Sequence, residues 1–517
     1  MKERPMVNSR AEVLLTTDRT LMSNYHNNEF LGFGTCAPPN FIPDFLYRFL
    51  FFPSIKMKRG LPTAAPYGLR KIEAQLLKEG FDVATVSPEH LEKYINEAKI
   101  VCIHTMDPFG LGPASTTLAS IFKKEPFLAM HFHELINNLL LEKQKKNGLK
   151  VIVGGPGAWQ FRYRPYFIEE KAIDCVVEGE AENVIGKIIR AALDGEKLPT
   201  RYEVTAKNAP KLEEIPDIVQ PSINGLIEIG RGCCRGCEFC NVTLRPLRWY
   251  PYDKIMRELA VNVKVGKNRA CCLHAEDVML YGSQSTVPND EKLLRLHELV
   301  MDTVHSISWS HCSLAAVASK PELFSRISEI IREKQAWWGA EIGIETGSAE
   351  LAKKIMPSKA LPFKAEEWPQ VVRQGLGIMH DNMLVPAGTL IMGLPEEAEE
   401  DIIKTMELMD DIKDCRSLIV PLFFVPLGRL KNRDWFKDTE MNELHKQLMF
   451  QCAEHAFRWV DNLIDMAFMD KWYRRPVKEF YKVFAGMTKR QIRQAEIIEL
   501  QGNLYFSSSK NGVGKNS

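Results

Sequence analysis

The sequence lacks an excess of either charge and lacks a long apolar segment. Its 67 lysines and arginines nearly balance 66 aspartates and glutamates, which gives a formal net charge of +1. Composition therefore provides no overall electrostatic attraction toward nucleic acid or anionic lipid. The most apolar stretch, Phe41 to Phe52, contains Asp44 and Arg48 and is shorter than the ~20 residues that a membrane span needs. We expect neither a nucleic-acid partner nor a membrane partner.

The sequence also lacks the features of a secreted protein. Met1 is followed by charged and polar residues rather than by the apolar segment of a signal peptide. The 12 cysteines are spread along 517 residues, whereas disulfide frameworks belong to small secreted domains. Apolar residues make up 45% of the chain and charged residues 26%, as in soluble globular proteins. These features predict a cytoplasmic protein of about two or three domains.

Residues 1–200 show alternating strand and helix patterns. Tyr67–Glu79 places apolar residues on one helical face and is followed by Gly80, a residue that commonly ends helices. The expected strands are Val13–Leu15, Phe81–Val86, Ile100–Ile103, Val151–Val153 and Asp174–Val177. This alternation predicts an α/β fold with a parallel sheet of Rossmann type, whose ligand lies outside the carboxyl ends of the strands.

Three of the expected strands end in loops that suit a bulky ligand. Glycines at such positions let the backbone approach a ligand closely, although ordinary tight turns explain any one loop equally well. The candidate ligand-binding residues are Thr105, Met106, Asp107, Leu111 and Gly112 in the first loop, Gly154, Gly155 and Pro156 in the second, and Glu178 and Gly179 in the third.

A second run of strand and helix patterns occupies residues 223–428, after a proline-rich linker at 201–222. The expected strands are Leu226–Ile229, Cys271–Glu276, Ile307–Ala315, Ala340–Glu345, Gly388–Met392 and Ile419–Val425. Six such units predict a partial (β/α)6 barrel, with functional residues at the carboxyl ends of its strands. Residues 429–500, rich in aromatic side chains, predict a C-terminal helical domain, and residues 501–517 predict a disordered tail.

Three cysteines follow the first strand of this second unit with the spacing C-x3-C-x2-C. Cys233, Cys237 and Cys240 lie in one short loop, and Cys234 is extra. Iron–sulfur clusters usually have four cysteine ligands, so three thiolates leave one iron free. A ferredoxin site would have a fourth cysteine followed by proline, and a zinc site would have a second ligand pair nearby. Neither pattern follows here.

The cysteine spacing resembles that of the radical S-adenosylmethionine (radical SAM) superfamily. The resemblance extends to the aromatic residue before the last cysteine, to Gly343-Ile-Glu-Thr-Gly-Ser348 and to Ile391-Met-Gly-Leu-Pro-Glu396, although Glu396 replaces the usual glycine. It implies a 4Fe–4S cluster held by the three cysteines. The SAM-binding residues that it implies are Phe239, Glu276, Glu345 and Gly393.

The three N-terminal loops together resemble the cobalamin-binding domain that precedes the radical SAM domain in a large subfamily. The sequence has no D-x-H-x-x-G motif, because His104 and Asp107 occur in the wrong order and spacing. The resemblance therefore implies cobalamin in the base-off form without a histidine lower ligand. The alternative is a domain that has lost cobalamin and has only a structural role.

The resemblance implies a C-methyltransferase that moves a methyl group from SAM through methylcobalamin to an unactivated carbon. No catalytic residue is expected beyond the cofactor ligands. The arrangement is similar to that of archaeal enzymes that methylate a glutamine of methyl-coenzyme M reductase, so we expect a protein or peptide substrate and an external electron donor. Alternatives are a cyclase or oxidase acting on a small metabolite or tetrapyrrole, and an iron–sulfur electron-transfer or binding module. Methylthio transfer would need a second cluster, and Cys36, Cys102 and Cys175 are scattered.

Overall fold

The computed structural model describes residues 11–39, 43–467 and 475–510. The expected absence of a signal peptide concerns residues 1–10, which lie outside the described residues, as do the last seven residues of the expected tail. The described chain forms an N-terminal α/β unit, a partial barrel and a set of C-terminal helices. None of the described helices is long and apolar enough to cross a membrane.

The N-terminal unit is built on a six-stranded parallel sheet. Its strands are β1 (Val13–Thr17), β2 (Val83–Thr85), β3 (Ile100–His104), β4 (Lys150–Gly154), β5 (Cys175–Glu178) and β6 (Arg201–Glu203). They lie side by side in the order β2-β1-β3-β4-β5-β6. Apolar clusters cover both faces, as expected for a parallel sheet enclosed by helices. The Rossmann-type sheet predicted from the sequence is present in this unit.

The helices of this unit are α1 (Asp44–Phe51), α2 (Tyr67–Lys78), α3 (Pro113–Phe122), α4 (Phe127–Lys145), α5 (Pro165–Glu170) and α6 (Ile185–Leu193). Helices α2, α4, α5 and α6 cover the two faces of the sheet, whereas α3 packs against the barrel strand Leu418–Phe423. A ribbon of Met57–Lys58 and Leu61–Pro62 precedes α2. The sixth strand falls within the segment that the sequence predicts to be a linker. Its side chains are exposed or half-buried, so its sequence carries little apolar signal.

The second unit is a partial barrel of six parallel strands. They are β7 (Leu226–Glu228), β8 (Ala270–His274), β9 (Ser306–Trp309), β10 (Trp338–Glu345), β11 (Leu384–Met392) and β12 (Leu418–Phe423). Two three-stranded sheets, β9-β8-β7 and β10-β11-β12, are joined by a bridge between His311 and Glu341. The barrel is therefore open between β7 and β12, and the N-terminal unit lies beside that opening.

Helices form the outer layer of the barrel. They are α7 (Tyr252–Ala260), α8 (Asp290–Thr303), α9 (Leu314–Ser319), α10 (Pro321–Arg332), α11 (Ala349–Ile355), α12 (Trp368–Asp381) and α13 (Glu399–Asp411). A π-helical turn, Val261–Val265, extends α7. The expected strand Ile307–Ala315 is shorter than predicted, because its second half turns into α9.

The aromatic segment that follows β1 has two roles in the structure. Tyr47, Phe52 and Phe127 pack together, with ring centroids 4.7–6.2 Å apart. Phe30 lies over Gly339 at the start of β10, where a Cβ atom on that glycine would come within 2.8 Å of its ring. The N-terminal segment thus reaches into the barrel rather than remaining beside its own sheet.

Two long helices complete the described chain. Helix α14 (Glu443–Ala467) packs against α13 and β12, and α15 (Arg475–Lys510) packs against α14. Helix α15 continues into the first part of the segment for which the sequence predicts a disordered tail. The Tyr481 hydroxyl donates to the Leu50 carbonyl, which connects α15 to α1.

Buried charges join the N-terminal unit to the barrel. Lys71 on α2 forms an ion pair with Glu258 on α7, and both side chains are fully buried. The Tyr67 hydroxyl donates to the other oxygen of Glu258 over 2.6 Å, and Lys71 also donates to the Pro216 carbonyl over 2.7 Å. Each charged atom has a partner, as a buried ion pair requires.

Candidate active site

A cavity of about 620 Å³ lies between the carboxyl edge of the N-terminal sheet and the open side of the barrel. Loops after β3, β4 and β5 form one wall. The other wall comes from β7, from Arg231 and Asn241 on either side of the three cysteines, and from the segment after β12. The cysteines themselves are not among the lining residues. A cavity at the carboxyl ends of parallel strands is where α/β proteins bind their ligands.

Six of the ten residues predicted for a bulky cofactor line this cavity. They are Met106, Gly154, Gly155, Pro156, Glu178 and Gly179. The other four, Thr105, Asp107, Leu111 and Gly112, are not among the lining residues. Asp107 is buried and accepts hydrogen bonds from Gly112 N at 3.0 Å and from Gln160 Nε2 at 2.5 Å. Its carboxylate therefore braces the loop from behind.

Two cavity glycines occupy backbone conformations that disfavour other residues. Gly155 has φ +100°, and a Cβ there would lie 2.6 Å from the Thr105 carbonyl oxygen. Gly179 has φ +104°, and a Cβ there would lie 2.3 Å from the Val204 carbonyl oxygen. These glycines let neighbouring loops approach one another closely and keep the cavity wall free of side chains.

The cavity extends as an apolar groove between the N-terminal sheet and its helices. The groove is lined by side chains of α2, α6 and the sheet strands: Leu69, Ile72, Cys102, Ile152, Val177 and Ile185. His104, the last residue of β3, also lines the cavity, between Gly68 and Gly155. Burial lowers the pKa of His104 to about 4, so its imidazole is neutral at pH 7.

The cysteine loop is held in place by backbone bonds to distant parts of the barrel. Glu238 N donates to the Ile355 carbonyl at 3.1 Å, and the Glu238 carbonyl accepts from Arg429 N at 2.7 Å. Gly428 N donates to Asn241 Oδ1 at 2.8 Å. These bonds fix the loop to the end of α11 and to the segment after β12.

Arg235, which lies between the first two ligand candidates, secures the loop from inside. Its buried guanidinium donates to the Lys359 and Leu361 carbonyls, at 2.8 and 2.9 Å, and to Ser313 Oγ at 2.7 Å. It also pairs with Asp277 at 3.3 Å. The first half of the cysteine loop is therefore immobilised by side-chain bonds.

The three cysteines form no disulfide bond, and their side chains are buried or half-buried. Burial raises the pKa of Cys233 to about 12 and raises those of Cys237 and Cys240, while the Lys359 ammonium opposes the shift at Cys237. Metal binding removes the proton from such a thiol outright. Within residues 11–39, 43–467 and 475–510, no three metal-ligating side chains gather around one ion. The ligands of a 4Fe–4S cluster need not converge on a single ion, because each thiolate binds a different iron. Three free thiols in one short loop are the donor set that a cluster needs.

Two of the four predicted SAM-binding residues meet at a buried lysine beside the cysteine loop. Lys359 Nζ lies 2.6 Å from Glu345 Oε1 and 5.9 Å from the ring centroid of Phe239. Glu345 also accepts a hydrogen bond from Thr389 Oγ1 at 3.1 Å and has φ +65° at a bulge in β10. The carboxylate of Glu345 and the ring of Phe239 thus share one site.

The other two predicted SAM-binding residues lie at neighbouring strand ends. Glu276 follows β8, is half-buried, and its charge contributes to the raised pKa of Cys240, which is due mainly to burial. Gly393 follows β11 and has φ +74°. All four residues are therefore at the carboxyl end of the barrel, where parallel barrels place their functional groups.

An ion network connects the cavity loop after β5 to the cysteine loop. Arg231 donates to Glu228 at 2.8 Å, to Glu180 at 2.9 Å and to Glu182 at 2.6 Å. Burial alone would raise the pKa of Glu228, but Arg231 outweighs it and lowers that pKa to about 2. Arg231 precedes Cys233 by two residues, so it joins the two expected cofactor loops directly.

Sequence reasoning did not identify Lys359, Arg231 or Arg235. Arg231 and Arg235 flank Cys233 in the sequence, and their proximity to the cysteines was a signal that could have suggested a role. Lys359 is remote in sequence, and no motif distinguishes it from other lysines. Its position depends on the turn that follows α11.

Residues 227–409 match the Radical SAM superfamily profile. The match assigns these residues to a radical SAM domain. Such a domain implies a 4Fe–4S cluster and SAM, in agreement with the cysteine loop described above.

Curated relatives of this chain are distant. A Methanocaldococcus jannaschii protein named as a methylthiotransferase is 23% identical over 68% of this chain and 73% of its own length. A tRNA-2-methylthio-N(6)-dimethylallyladenosine synthase of Shewanella pealeana is 24% identical over 54% of this chain and 57% of its own length. The chain thus spans little more than half of the second relative.

Two solved structures share the fold of this chain. Both are of the radical SAM methyltransferase TsrM from Kitasatospora setae, one with cobalamin and a 4Fe–4S cluster bound and one with tryptophan and a SAM analogue. The TM-scores are 0.52 and 0.51, at 12% and 13% identity. The matches cover 81% of this chain and 74–75% of TsrM. At this identity the likeness establishes the α/β fold of both units.

Proposed function

We propose that this protein is a cobalamin-dependent radical SAM C-methyltransferase. The observation that carries the proposal is the cavity, because one wall consists of glycine-rich loops of a Rossmann-type sheet and the other includes Arg231 and Asn241, which flank the three cysteines. A cofactor in the sheet loops would then lie beside a cluster held by the cysteines. When bound, the reduced cluster supplies an electron that cleaves SAM, and cobalamin carries the methyl group. An external donor would reduce the cluster.

The side chains of the barrel have the roles of binding and orientation in this proposal. Cys233, Cys237 and Cys240 would hold the cluster as thiolates. Lys359 and Arg235 provide positive charge beside a loop that becomes anionic on metal binding. Glu345 would exchange its bond with Lys359 for the ribose hydroxyls of SAM. No acid or base beyond the cofactor ligands is required.

Several features support cobalamin in the N-terminal unit. The apolar groove beside Leu69 and Ile185 provides space for a flat group, and Gly155 and Gly179 keep the rim open. TsrM, which shares the fold, binds cobalamin. We propose the base-off form without a histidine lower ligand, although His104 lies in the cavity wall and makes this proposal testable.

As the specific substrate we propose a glutamine of methyl-coenzyme M reductase, on the basis of the sequence resemblance. An aromatic rim at the cavity supports a peptide substrate. Trp159 stacks at 6.5 Å on Trp435, and Tyr163 contacts Trp435 edge-on at 5.3 Å. Tyrosine and tryptophan are enriched at protein interfaces.

Methylthio transfer is the second candidate, because the curated relatives carry that name. It would need ligands for a second cluster in the N-terminal unit. Cys102 and Cys175 are buried in β3 and β5, which β4 separates, and Cys36 ends a short helical segment. Their separation in the fold favours methyl transfer. A cyclase or oxidase remains the alternative for a small-molecule substrate.

Anaerobic reconstitution tests the proposal. The chain is supplied with iron, sulfide, cobalamin, SAM, a reductant and a peptide of methyl-coenzyme M reductase that contains the glutamine. We expect 5′-deoxyadenosine, S-adenosylhomocysteine and a methylated peptide. A methylthiolated product would support the second candidate, and deoxyadenosine alone would support the cyclase or oxidase. Absence of both SAM-derived products would indicate an electron-transfer or binding module.

Cysteine variants provide the matched control. Cys237→Ala removes one expected ligand, so we expect loss of cluster iron and of both SAM-derived products. Cys234→Ala removes the neighbouring exposed thiol, and we expect iron content and products to match the wild type. Equal loss in both variants would contradict the assignment of Cys233, Cys237 and Cys240 as the ligands.

A further inference from the structure

The turn after β11 is stabilised by one carboxylate. Gly393 has φ +74°, and its N–H donates to Glu397 Oε2 at 2.7 Å. Glu397 is buried and follows the Gly-Leu-Pro segment of the turn. A single side chain therefore fixes the direction of the Gly393 peptide, which the proposed function places beside SAM.

Helix α14 of the C-terminal region holds that carboxylate. His445 Nε2 lies 3.0 Å from the same Glu397 oxygen, and both side chains are at least nine-tenths buried. Asn442 N donates to His445 Nδ1 at 3.3 Å, which leaves the ring proton on Nε2 to donate to Glu397. Asn442 Oδ1 accepts from His445 N at 3.0 Å, so the start of α14 fixes the histidine backbone as well.

An aromatic side chain connects the same two elements. Phe436 lies directly on Gly393, where a Cβ would come within 2.0 Å of the ring. The ring of Phe436 also packs against His445, with centroids 5.0 Å apart, and edge-on against Phe423 at 5.4 Å. The segment between β12 and α14 thus covers the outside of the turn that His445 braces.

We propose that His445 is a positioning residue for SAM binding, which acts through Glu397 on the Gly393 turn. The C-terminal helices would then form part of the cofactor site rather than only a packing layer. This inference rests on the proposed function, because it takes Gly393 as a SAM contact. Removing the imidazole leaves Glu397 with one donor fewer, and the turn loses its preferred orientation.

His455 on the same helix provides a matched control. It is buried like His445, and its Nε2 makes one hydrogen bond, to Ser417 Oγ at 2.8 Å. Ser417 precedes β12 and is remote from the Gly393 turn in the sequence. A His455→Leu variant therefore removes a comparable buried bond from α14 and leaves Glu397 untouched.

Equilibrium binding to the anaerobically reconstituted chain tests the inference. We expect His445→Leu to weaken SAM binding roughly tenfold, as for a lost bond to a charged group. Binding of 5′-methylthioadenosine should weaken by the same factor, while the EPR spectrum of the reduced cluster at saturating SAM stays unchanged. His445→Gln retains a donor for Glu397 and should bind SAM within roughly threefold of the wild type. His455→Leu should bind SAM like the wild type.

The outcomes separate this inference from the proposed function. Unchanged SAM binding in His445→Leu, or equal weakening in His455→Leu, would overturn the role of His445. A wild-type chain that binds SAM but forms no S-adenosylhomocysteine would refute methyl transfer and leave the binding result for His445 valid. A wild-type chain that binds no SAM would refute both.

Discussion

At the scale of single residues, two histidines differ in charge at pH 7 because their surroundings differ. His104 has no anionic partner among the described residues, and burial lowers its pKa to about 4. Burial acts in the same direction on His311, but Glu341 at 3.1 Å outweighs it and raises the pKa of His311 to about 9. At pH 7 the imidazole of His104 is therefore neutral, and the imidazole of His311 is a cation.

The neutral imidazole of His104 leads to a spectroscopic prediction. In the base-off form proposed above, His104 does not bind cobalt. We expect the EPR spectrum of cob(II)alamin in the protein to lack nitrogen superhyperfine coupling and to be unchanged by His104→Ala. Coupling that is present in the wild type and absent in the variant would identify His104 as the lower ligand and contradict the base-off proposal.

Sequence reasoning at this scale succeeds where the interacting residues are close in the chain. Cys233, Cys237 and Cys240 fall within eight residues, so their spacing indicates a cluster before any fold is known. Lys359 and Arg231 gain their roles only when strands and loops come together, and no local pattern reveals that. Asp107 was predicted to bind a cofactor, but the structure places it away from the cavity lining, where it braces a loop.

At the scale of elements, the buried strands could be predicted because their apolar runs are continuous. The fold departs from prediction where that signal is ambiguous. Ile307–Ala315 mixes apolar residues with serines and a histidine, and no glycine or proline separates the strand Ser306–Trp309 from the helix Leu314–Ser319. The edge strand Arg201–Glu203 is short and polar, so it was included in a linker.

The loop after β4 gives a prediction at this scale. Gly155→Ala places a Cβ 2.6 Å from the Thr105 carbonyl in a left-handed conformation, so the two cavity loops must separate. We expect loss of cobalamin binding, measured by absorbance after gel filtration. Gly148→Ala is the control, because Gly148 has φ +89° but nothing within 4 Å of a Cβ. It should cost ~1–2 kcal/mol of stability and retain cobalamin. Equal binding by both variants would contradict the proposed site.

At the scale of the whole molecule, the two α/β units depend on each other through buried charges. Glu258 has no exposed surface, and Lys71 and Tyr67 both bond to it across the interface. Replacing one member of such a pair leaves the other charge buried without compensation. The stability of the N-terminal unit is therefore coupled to that of the barrel.

A substitution on α7 tests this coupling. We expect Glu258→Leu to lower the free energy of unfolding by ~3–5 kcal/mol, because the Lys71 ammonium remains buried without its carboxylate. Urea denaturation followed by circular dichroism measures the loss. Asp253→Ala breaks an exposed ion pair with Arg257 on the same helix and should leave the unfolding curve unchanged. A wild-type-like curve for Glu258→Leu would show that the interface does not need the pair.

The Lys71–Glu258 pair would also limit how the proposed cobalamin exchanges with the medium. Hinge opening between the α/β units would expose both charges and the Tyr67 hydroxyl to water, and would lose bonds that no other contact replaces. Exchange of the proposed cobalamin would then take place through the cavity mouth beside Trp159 or at the time of folding. A corrin acquired during synthesis would accordingly stay bound through many catalytic cycles, as a prosthetic group rather than an exchangeable cosubstrate.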